Sequence, residues 1–325
     1  MRPDIDQDVH ASRGKLAWII RAVGLALSLL ALGYVGYQAA LSASTIERDF
    51  LTQGFIAAIL LVSVIYAALG MIIGLAWHVL VASTGPVPLR LRDSLRVFGR
   101  TQVLKYLPTN VLHYAGRHAA AYRMGASHKA LVWASVAEAA LVLAAAALVT
   151  AVFARPLFAT ALAGLDAPNW MQVLVPVAAA VVLIAVSVML VRSHSDNRGI
   201  VQLLKGSATA CMLYAFFFLA NGFLLGWLVT MLPAATARAQ PWELAGIVAL
   251  AWFAGFIVPG APAGIGIREF VLTLGLDHAG LAGSAVTLAI AYRVVTLLGD
   301  LLLALFTTAL FRSGAQPQTK SVPRL

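Results

Sequence analysis

A chain of 325 residues with a mean hydropathy of +0.88 and only 11% charged residues is too apolar for a water-soluble protein of this size. Its net charge of +10 does not indicate nucleic acid, because lysines and arginines kept in cytoplasmic loops and attracted by anionic lipid explain the excess. The single cysteine, Cys211, excludes a disulfide framework. The composition therefore predicts an all-α, polytopic membrane protein without a nucleic-acid partner.

Six apolar runs are long enough to cross a hydrocarbon layer of about 30 Å, which takes about 20 helical residues. They cover 16–41, 55–82, 130–154, 171–191, 208–232 and 281–311. We expect 16–311 to form one integral-membrane domain, with cytoplasmic tails at 1–15 and 312–325, the second of them disordered. The first run is longer than the apolar part of a cleaved signal, which favours an uncleaved anchor.

Two further segments are too polar or too broken to be ordinary spans. Residues 90–127 are amphipathic and interrupted by Pro108, and 244–277 contain a 15-residue apolar helix followed by PGAPAGIGIRE. That helix would reach only about 22 Å, which is short of a full crossing. We therefore predict two re-entrant segments, each of which enters and leaves the membrane on one side.

The distribution of cations supports this topology, with both termini in the cytoplasm. Of the 23 lysines and arginines, 17, including Lys105, fall on the predicted inside, 3 outside and 3 within spans. A seventh full span would move the C-terminal cations outside, against the usual bias. The two re-entrant segments then enter from opposite faces in corresponding places of two halves, which predicts an inverted repeat of the kind found in transporters.

The first broken segment, KYLPTNVLHYAGRHAAAYRMG, carries a polar face. A helix begun by Pro108 places four polar residues on one side, namely Asn110, His113, Tyr114 and Arg117. Free N–H groups at the helix start and the planar guanidinium of Arg117 suit an anion such as a lipid phosphate. The alternative is an amphipathic helix on the cytoplasmic surface, with its cations on anionic headgroups.

The second broken segment, PGAPAGIGIREF, has two prolines and three glycines within eight residues. Pro259 and Pro262 end a helix, and the glycines let the backbone approach a ligand closely. Its candidate site residues are Gly264, Gly266, Arg268 and Glu269. Arg268 and Glu269 point about 100° apart around the following helix, so each needs another partner or a wet cavity.

Three more ionisable residues lie within predicted spans, where a charge costs roughly 2.5–3.5 kcal/mol on insertion scales. They are Glu138, Arg293 and Asp300. One hypothesis is that they bind a ligand. The other is a buried ion pair that holds helices together, such as Arg117 with Glu138 or Arg293 with Glu269. No histidines stand at zinc-ligand spacing, and we predict neither a metal site nor a cofactor.

Three blocks together resemble the lysylphosphatidylglycerol synthase transmembrane-region family, whose members include flippase-like proteins. The blocks are KYLPTNVLHYAGRHAAAYRMG, PGAPAGIGIREFVLTLGL and AYRVVTLLGDLLLAL, within 105–305. The resemblance implies re-entrant helices around a lipid-handling cavity and movement of an anionic or polar-headed lipid between leaflets. The positions that match the family pattern are Pro108, Arg117, Pro262, Gly264, Gly266, Glu269 and Arg293. Without a soluble aminoacyl-transfer domain, we expect no lipid synthesis by this chain.

The sequence favours a flippase or transporter of the inner cell membrane over an enzyme. Its expected ligand is a lipid with an anionic headgroup or a lipid-linked intermediate. In this hypothesis Arg117 binds the headgroup from the cytoplasmic side, and Arg268 and Arg293 receive it from the other. One alternative is an integral-membrane glycosyltransferase with a lipid-linked donor, whose candidate carboxylates are Glu47 and Asp49. Another is a non-catalytic scaffold for cell-envelope biosynthesis enzymes. The chain has no Walker motif, and we expect no ATP hydrolysis.

Overall fold

A computed structural model of the chain describes residues 29–41, 52–84, 89–107, 112–154, 181–186, 197–232, 239–258 and 262–311, with a few single positions outside these ranges. This part is helical apart from its turns and contains no strand, which confirms the predicted all-α class. Its main helices are α1 (Leu29–Leu41), α2 (Gln53–Ser83), α3 (Leu91–Gln102), α4 (Leu112–Arg123), α5 (His128–Phe153), α6 (Asn197–Thr230), α7 (Pro241–Ile257), α8 (Ile267–Leu276) and α9 (Ala285–Leu310).

Four helical stretches are long and apolar enough to cross a membrane. They are Gln53–Ser83, His128–Phe153, Gly199–Thr230 and Ile267–Leu310. They correspond to four of the six predicted spans, those at 55–82, 130–154, 208–232 and 281–311. The predicted span 16–41 is continuously described only as α1, from Leu29 onward. The predicted span 171–191 lies largely outside the described residues, as do the tails 1–15 and 312–325.

The long helices are apolar on their outer as well as their inner sides. On α6, Met212, Phe216 and Phe223 are each more than half exposed. The opposite side of α6 is buried, with Tyr214 and Phe218 in the core. An apolar surface of this kind is expected where lipid replaces water as the surrounding solvent. The described part of the chain is therefore that of a helical membrane protein.

The first broken segment folds as two packed helices, α3 and α4, which we call hairpin A. Thr101 and Leu104 lie against Gly116, and Phe98, further back along α3, lies against Arg117. These contacts pack the middle of α4 against the C-terminal half of α3 and the turn that follows it. A short 3₁₀ turn, Val103–Tyr106, continues α3 beyond its end.

The second broken segment folds as α7 and α8, which we call hairpin B. Gly255, near the end of α7, lies against Arg268 at the start of α8, and Ile247 lies against Gly275 at the other end. These contacts show that the two helices are antiparallel. With 17 residues, α7 extends over about 25 Å, close to the length expected from its apolar run.

The backbone that leads into α8 has the left-handed conformation that its glycines permit. Gly264 and Gly266 have φ angles of 69° and 85°, which glycine adopts without steric cost. The backbone N–H of Gly266 donates to the carboxylate of Glu269 at 2.7 Å and closes the first turn of α8. The glycines of the PGAPAGIGIREF segment therefore provide the backbone conformation of the turn that leads into α8.

Candidate functional site

The two hairpins meet beside α9, and Arg293 is the residue of α9 that lies between them. Its guanidinium carbon is 5.6 Å from the ring centre of Tyr106 in hairpin A. Its Nη1 is 3.5 Å from the carbonyl oxygen of Ala263 in hairpin B. Segments that are about 160 positions apart in the sequence are thus joined at one arginine.

Arg293 also forms an ion pair with Glu269 of hairpin B. Its Nε lies 3.1 Å from one carboxylate oxygen, and the other oxygen accepts a hydrogen bond from the N–H of Gly266. This confirms the pairing of Arg293 with Glu269 that the sequence analysis considered. Both oxygens of Glu269 are therefore occupied by partners from the protein.

Arg268, the chain neighbour of Glu269, does not share this ion pair. Its guanidinium carbon lies 5.4 Å from the ring centre of Trp252 on α7, a favourable cation–π arrangement. Its stem passes between Gly255 and Gly264, where a Cβ at either position would overlap the arginine. The two glycines therefore make the room that Arg268 occupies.

Beside α9, Nε of Arg268 and Nη2 of Arg293 are buried without an acceptor among the described residues, and Nε of Arg117 in hairpin A shares this property. A buried donor without a partner costs free energy, and the cost is larger for a charged group. Arg268 and Arg293 are thus ready to donate to an anion or to water.

Both arginines line a cavity between α2, α6, α7, α8 and α9. It contains about 480 Å³ of empty space, part of which is continuous with the outside. Its aromatic wall consists of Tyr66, Phe217, Phe218, Trp252 and Tyr292. Its charged residues are Arg268, Glu269 and Arg293. The cavity combines the two features of a small-molecule site, a mainly apolar wall and a few converging polar groups.

A second ion pair lies two turns further along α9. Asp300 accepts hydrogen bonds from Nζ of Lys105 at 2.7 Å and from the hydroxyl of Tyr106 at 2.5 Å. From the sequence, Asp300 is a candidate for ligand binding or for a buried ion pair, and Lys105 is predicted to be a cytoplasmic cation. The signal that identifies Lys105 is its position just before Pro108, at a predicted break in the helix.

Arg117 of hairpin A pairs with Glu138 of α5 in the interior. Its Nη1 donates to both carboxylate oxygens, at 2.7 and 2.6 Å. Its guanidinium carbon lies 4.2 Å from the ring centre of Phe98 and 5.3 Å from that of Trp77. With Arg117 only 1% exposed, the ion pair considered from the sequence is confirmed. A phosphate ligand at Arg117 stays a prediction, and the enclosed geometry favours the structural role.

The remaining predicted residues fall in different places. His113 and Tyr114 lie beside Arg117, with ring centres 4.0 Å apart. Leu112 is exposed, so the polar face predicted for α4 is the face that points inward. The structure begins a 3₁₀ turn at Pro262. Outside the described residues lie Pro108, Asn110 and Pro259, together with Glu47 and Asp49 of the enzyme alternative.

The aromatic wall of the cavity was missed by the sequence analysis. Trp252 contacts Phe218 edge to face, with ring centres 5.5 Å apart, and stacks on Phe256 at 5.1 Å. Its signal in the sequence is its place inside the apolar run of α7, since tryptophans of membrane proteins are expected near the interfaces.

The fold and this cavity define the class of the protein, an α-helical membrane protein with a charged internal site. No known family model matches the chain, and no curated protein matches it either. Within the described ranges, no group of three or more histidine, cysteine, aspartate or glutamate side chains could hold a metal ion.

Proposed function

We propose that the protein binds the headgroup of an anionic lipid, or of a lipid-linked intermediate, in the cavity beside α9 and moves it between the leaflets. The observation that carries the proposal is the pair of half-buried arginines that line the cavity, Arg268 and Arg293, each with one buried N–H that lacks an acceptor in the described part of the chain. Guanidinium groups bind phosphate oxygens strongly. An aromatic wall around them suits an amphiphile.

The position of the cavity supports transport rather than binding alone. In the proposed topology, hairpins A and B are re-entrant and enter from opposite faces, so they meet near the middle of the membrane. Both termini are then cytoplasmic, and the two hairpins belong to the two halves of an inverted repeat. The short α7 supports this topology because its 17 residues give about 25 Å, less than the hydrocarbon thickness. A headgroup that moves between the leaflets must pass the middle of the membrane, where the two hairpins meet in this topology.

The two ion-pair systems have different roles in this mechanism. Arg117 and Glu138 anchor hairpin A to α5 and do not line the cavity. Arg268 receives the anionic group, and Arg293 donates its free N–H to the same ligand while Glu269 holds its other edge. A charged headgroup is thereby stabilised in a region where an unpaired charge is costly.

Lipid movement in proteoliposomes tests the proposal. Vesicles containing phosphatidylglycerol labelled on one acyl chain with a dithionite-quenchable fluorophore report the transfer of lipid between leaflets. We expect the protein to accelerate the transfer and Arg268→Gln to slow it at least about tenfold, since a hydrogen bond to a charged group contributes about 1.5–3 kcal/mol.

Arg123→Gln is the matched control, because Arg123 is an exposed arginine on α4 away from the cavity lining. It should transfer lipid at the rate of the unaltered protein. Equal rates of transfer by the unaltered protein and by Arg268→Gln would show that the cavity is not the site of lipid transfer. No transfer by the unaltered protein would refute the transport proposal itself.

A further inference from the structure

We infer that the cavity selects a headgroup with one negative charge, as in a phosphodiester, over the dianion of a phosphomonoester and over a zwitterion. The inference rests on the proposed function and deepens it by naming the chemical class of the ligand. It is carried by the way in which the charged residues around the cavity are paired.

The charges near the cavity leave one cation without a counterion among the described residues. Glu269 pairs with Arg293, and Asp300 pairs with Lys105. Arg268 forms no ion pair within the part of the chain that the structure describes, and its Nε is buried without an acceptor. The three cations are Arg268, Arg293 and Lys105, and the two carboxylates are Glu269 and Asp300. Together they carry one net positive charge.

One net positive charge is matched by one negative charge. A phosphodiester carries a single charge, whereas a phosphomonoester carries about −1.5 to −2 at pH 7. Removing an ion from water costs several kcal/mol unless its charge is compensated. The second charge of a phosphomonoester would meet Glu269, which is itself negative. A monoanion on Arg268 leaves no charge unmatched.

A zwitterionic headgroup fits less well for a separate reason. Its cation would need a free carboxylate, but one oxygen of Glu269 pairs with Arg293 and the other accepts from the N–H of Gly266. The ring of Trp252 already lies against the guanidinium of Arg268 and against Phe256. For the cation, the described lining of the cavity leaves only the other rings of the aromatic wall, and a cation–π contact contributes less free energy than a charge inside the membrane costs.

Phosphodiesters with long apolar chains come from two sources, glycerophospholipids and polyprenyl phosphosugars. The charge argument applies to both, so the experiment must separate them. Native mass spectrometry of the purified full-length protein at pH 8 can compare four lipids. They are phosphatidylglycerol, undecaprenyl-phosphate-linked glucose, phosphatidic acid and phosphatidylcholine.

We expect at least one phosphodiester to bind at least about tenfold more tightly than phosphatidic acid and phosphatidylcholine, the factor expected for one matched charged hydrogen bond. The tighter of the two phosphodiesters identifies the source. Arg268→Gln should lose this preference. Phosphatidic acid binding as tightly as both phosphodiesters would overturn the inference.

Glu269→Gln provides a sharper test, because it changes the charge and conserves the shape. The amide oxygen can still accept the N–H of Gly266, while Arg293 loses its counterion and the cavity gains one positive charge. The preference should then shift toward phosphatidic acid by about tenfold or more. Glu243→Gln, at a half-buried glutamate in the first turn of α7, is the control and should leave the preference unchanged.

The two proposals fail in different ways. Selective binding of a phosphodiester without lipid transfer in vesicles would refute transport and leave the charge selectivity standing. Lipid transfer that depends on Arg268 but is equally fast for phosphatidylglycerol and phosphatidic acid would refute the charge selectivity alone. An unchanged ratio of phosphatidic acid to phosphatidylglycerol binding in Glu269→Gln would also refute it.

Discussion

Arg117 is one of the largest fully buried side chains of the described chain, and Glu138 compensates its charge. Aromatic rings of Phe98 and Trp77 enclose the guanidinium and contribute cation–π contacts. Removing one member of a buried ion pair leaves an unpaired charge, whereas replacing both by apolar residues of similar volume is often neutral. A pair of substitutions can therefore separate the charge from the packing.

We predict that Glu138→Leu lowers the free energy of unfolding by about 3–5 kcal/mol, because it leaves Arg117 buried without a counterion. The double substitution Arg117→Met with Glu138→Leu should recover most of this loss. Denaturant unfolding of the purified protein in detergent measures both. Arg123→Met, at an exposed arginine of the same helix, is the control and should change little. A double variant no more stable than Glu138→Leu would contradict the prediction.

At the scale of elements, the close packing of α7 and α8 depends on glycine. A Cβ at Gly275 would overlap the side chain of Ile247 on the facing helix. Gly283, which precedes α9, has open space where its Cβ would stand. The two glycines thus offer the same substitution in a crowded and in an open place.

Gly275→Ala should destabilise hairpin B, since overpacking typically costs about 1–3 kcal/mol. The higher helix propensity of alanine offsets at most about 1 kcal/mol of that cost. Ile247→Ala, introduced together with Gly275→Ala, should relieve the overlap and restore part of the stability. Thermal unfolding of the three variants and of Gly283→Ala decides the matter. Equal unfolding temperatures for Gly275→Ala and Gly283→Ala would show that the overlap is relieved at no cost.

At the scale of the whole molecule, α9 connects the two hairpins through two ion pairs. Asp300 holds the turn of hairpin A through Lys105, and Arg293 holds hairpin B through Glu269. Tyr106 contacts both residues of α9, since it donates to Asp300 and lies against Arg293. Movement of hairpin A away from α9 would therefore expose one side of Arg293 and Asp300.

Lys105→Met should loosen the turn of hairpin A, because among the described residues Asp300 then keeps only the hydroxyl of Tyr106. Cysteine labelling can measure this after Cys211→Ser, which removes the single cysteine, and Val103→Cys, at a half-buried position of the turn. The lost charged hydrogen bond predicts labelling about tenfold faster.

Arg100→Met controls for this labelling experiment, because Arg100 is an exposed cation of α3. It should leave the labelling rate of Val103→Cys unchanged. If Lys105→Met also leaves the rate unchanged, the ion pair with Asp300 does not hold the turn in place.

Much of the fold follows from properties that are local in the sequence. Hydropathy over about 20 residues predicts a span, and four such spans correspond to long helices. Prolines and glycines predict breaks because they restrict or free the backbone at their own positions, and hairpin B shows this at Gly264 and Gly266. The pairs Arg117–Glu138 and Arg293–Glu269 were also foreseeable, since a charge inside an apolar helix bundle requires a nearby counterion.

Other features depend on residues that meet only after folding. Asp300 and Tyr106 are 194 positions apart and bond because α9 and hairpin A pack together. The aromatic wall draws Tyr66, Phe217 and Trp252 from three different helices. The sequence determined which segments are apolar, broken or charged, because those are properties of neighbours along the chain. Tertiary structure alone decided which charge remains unpaired, because pairing is a matter of distance in space.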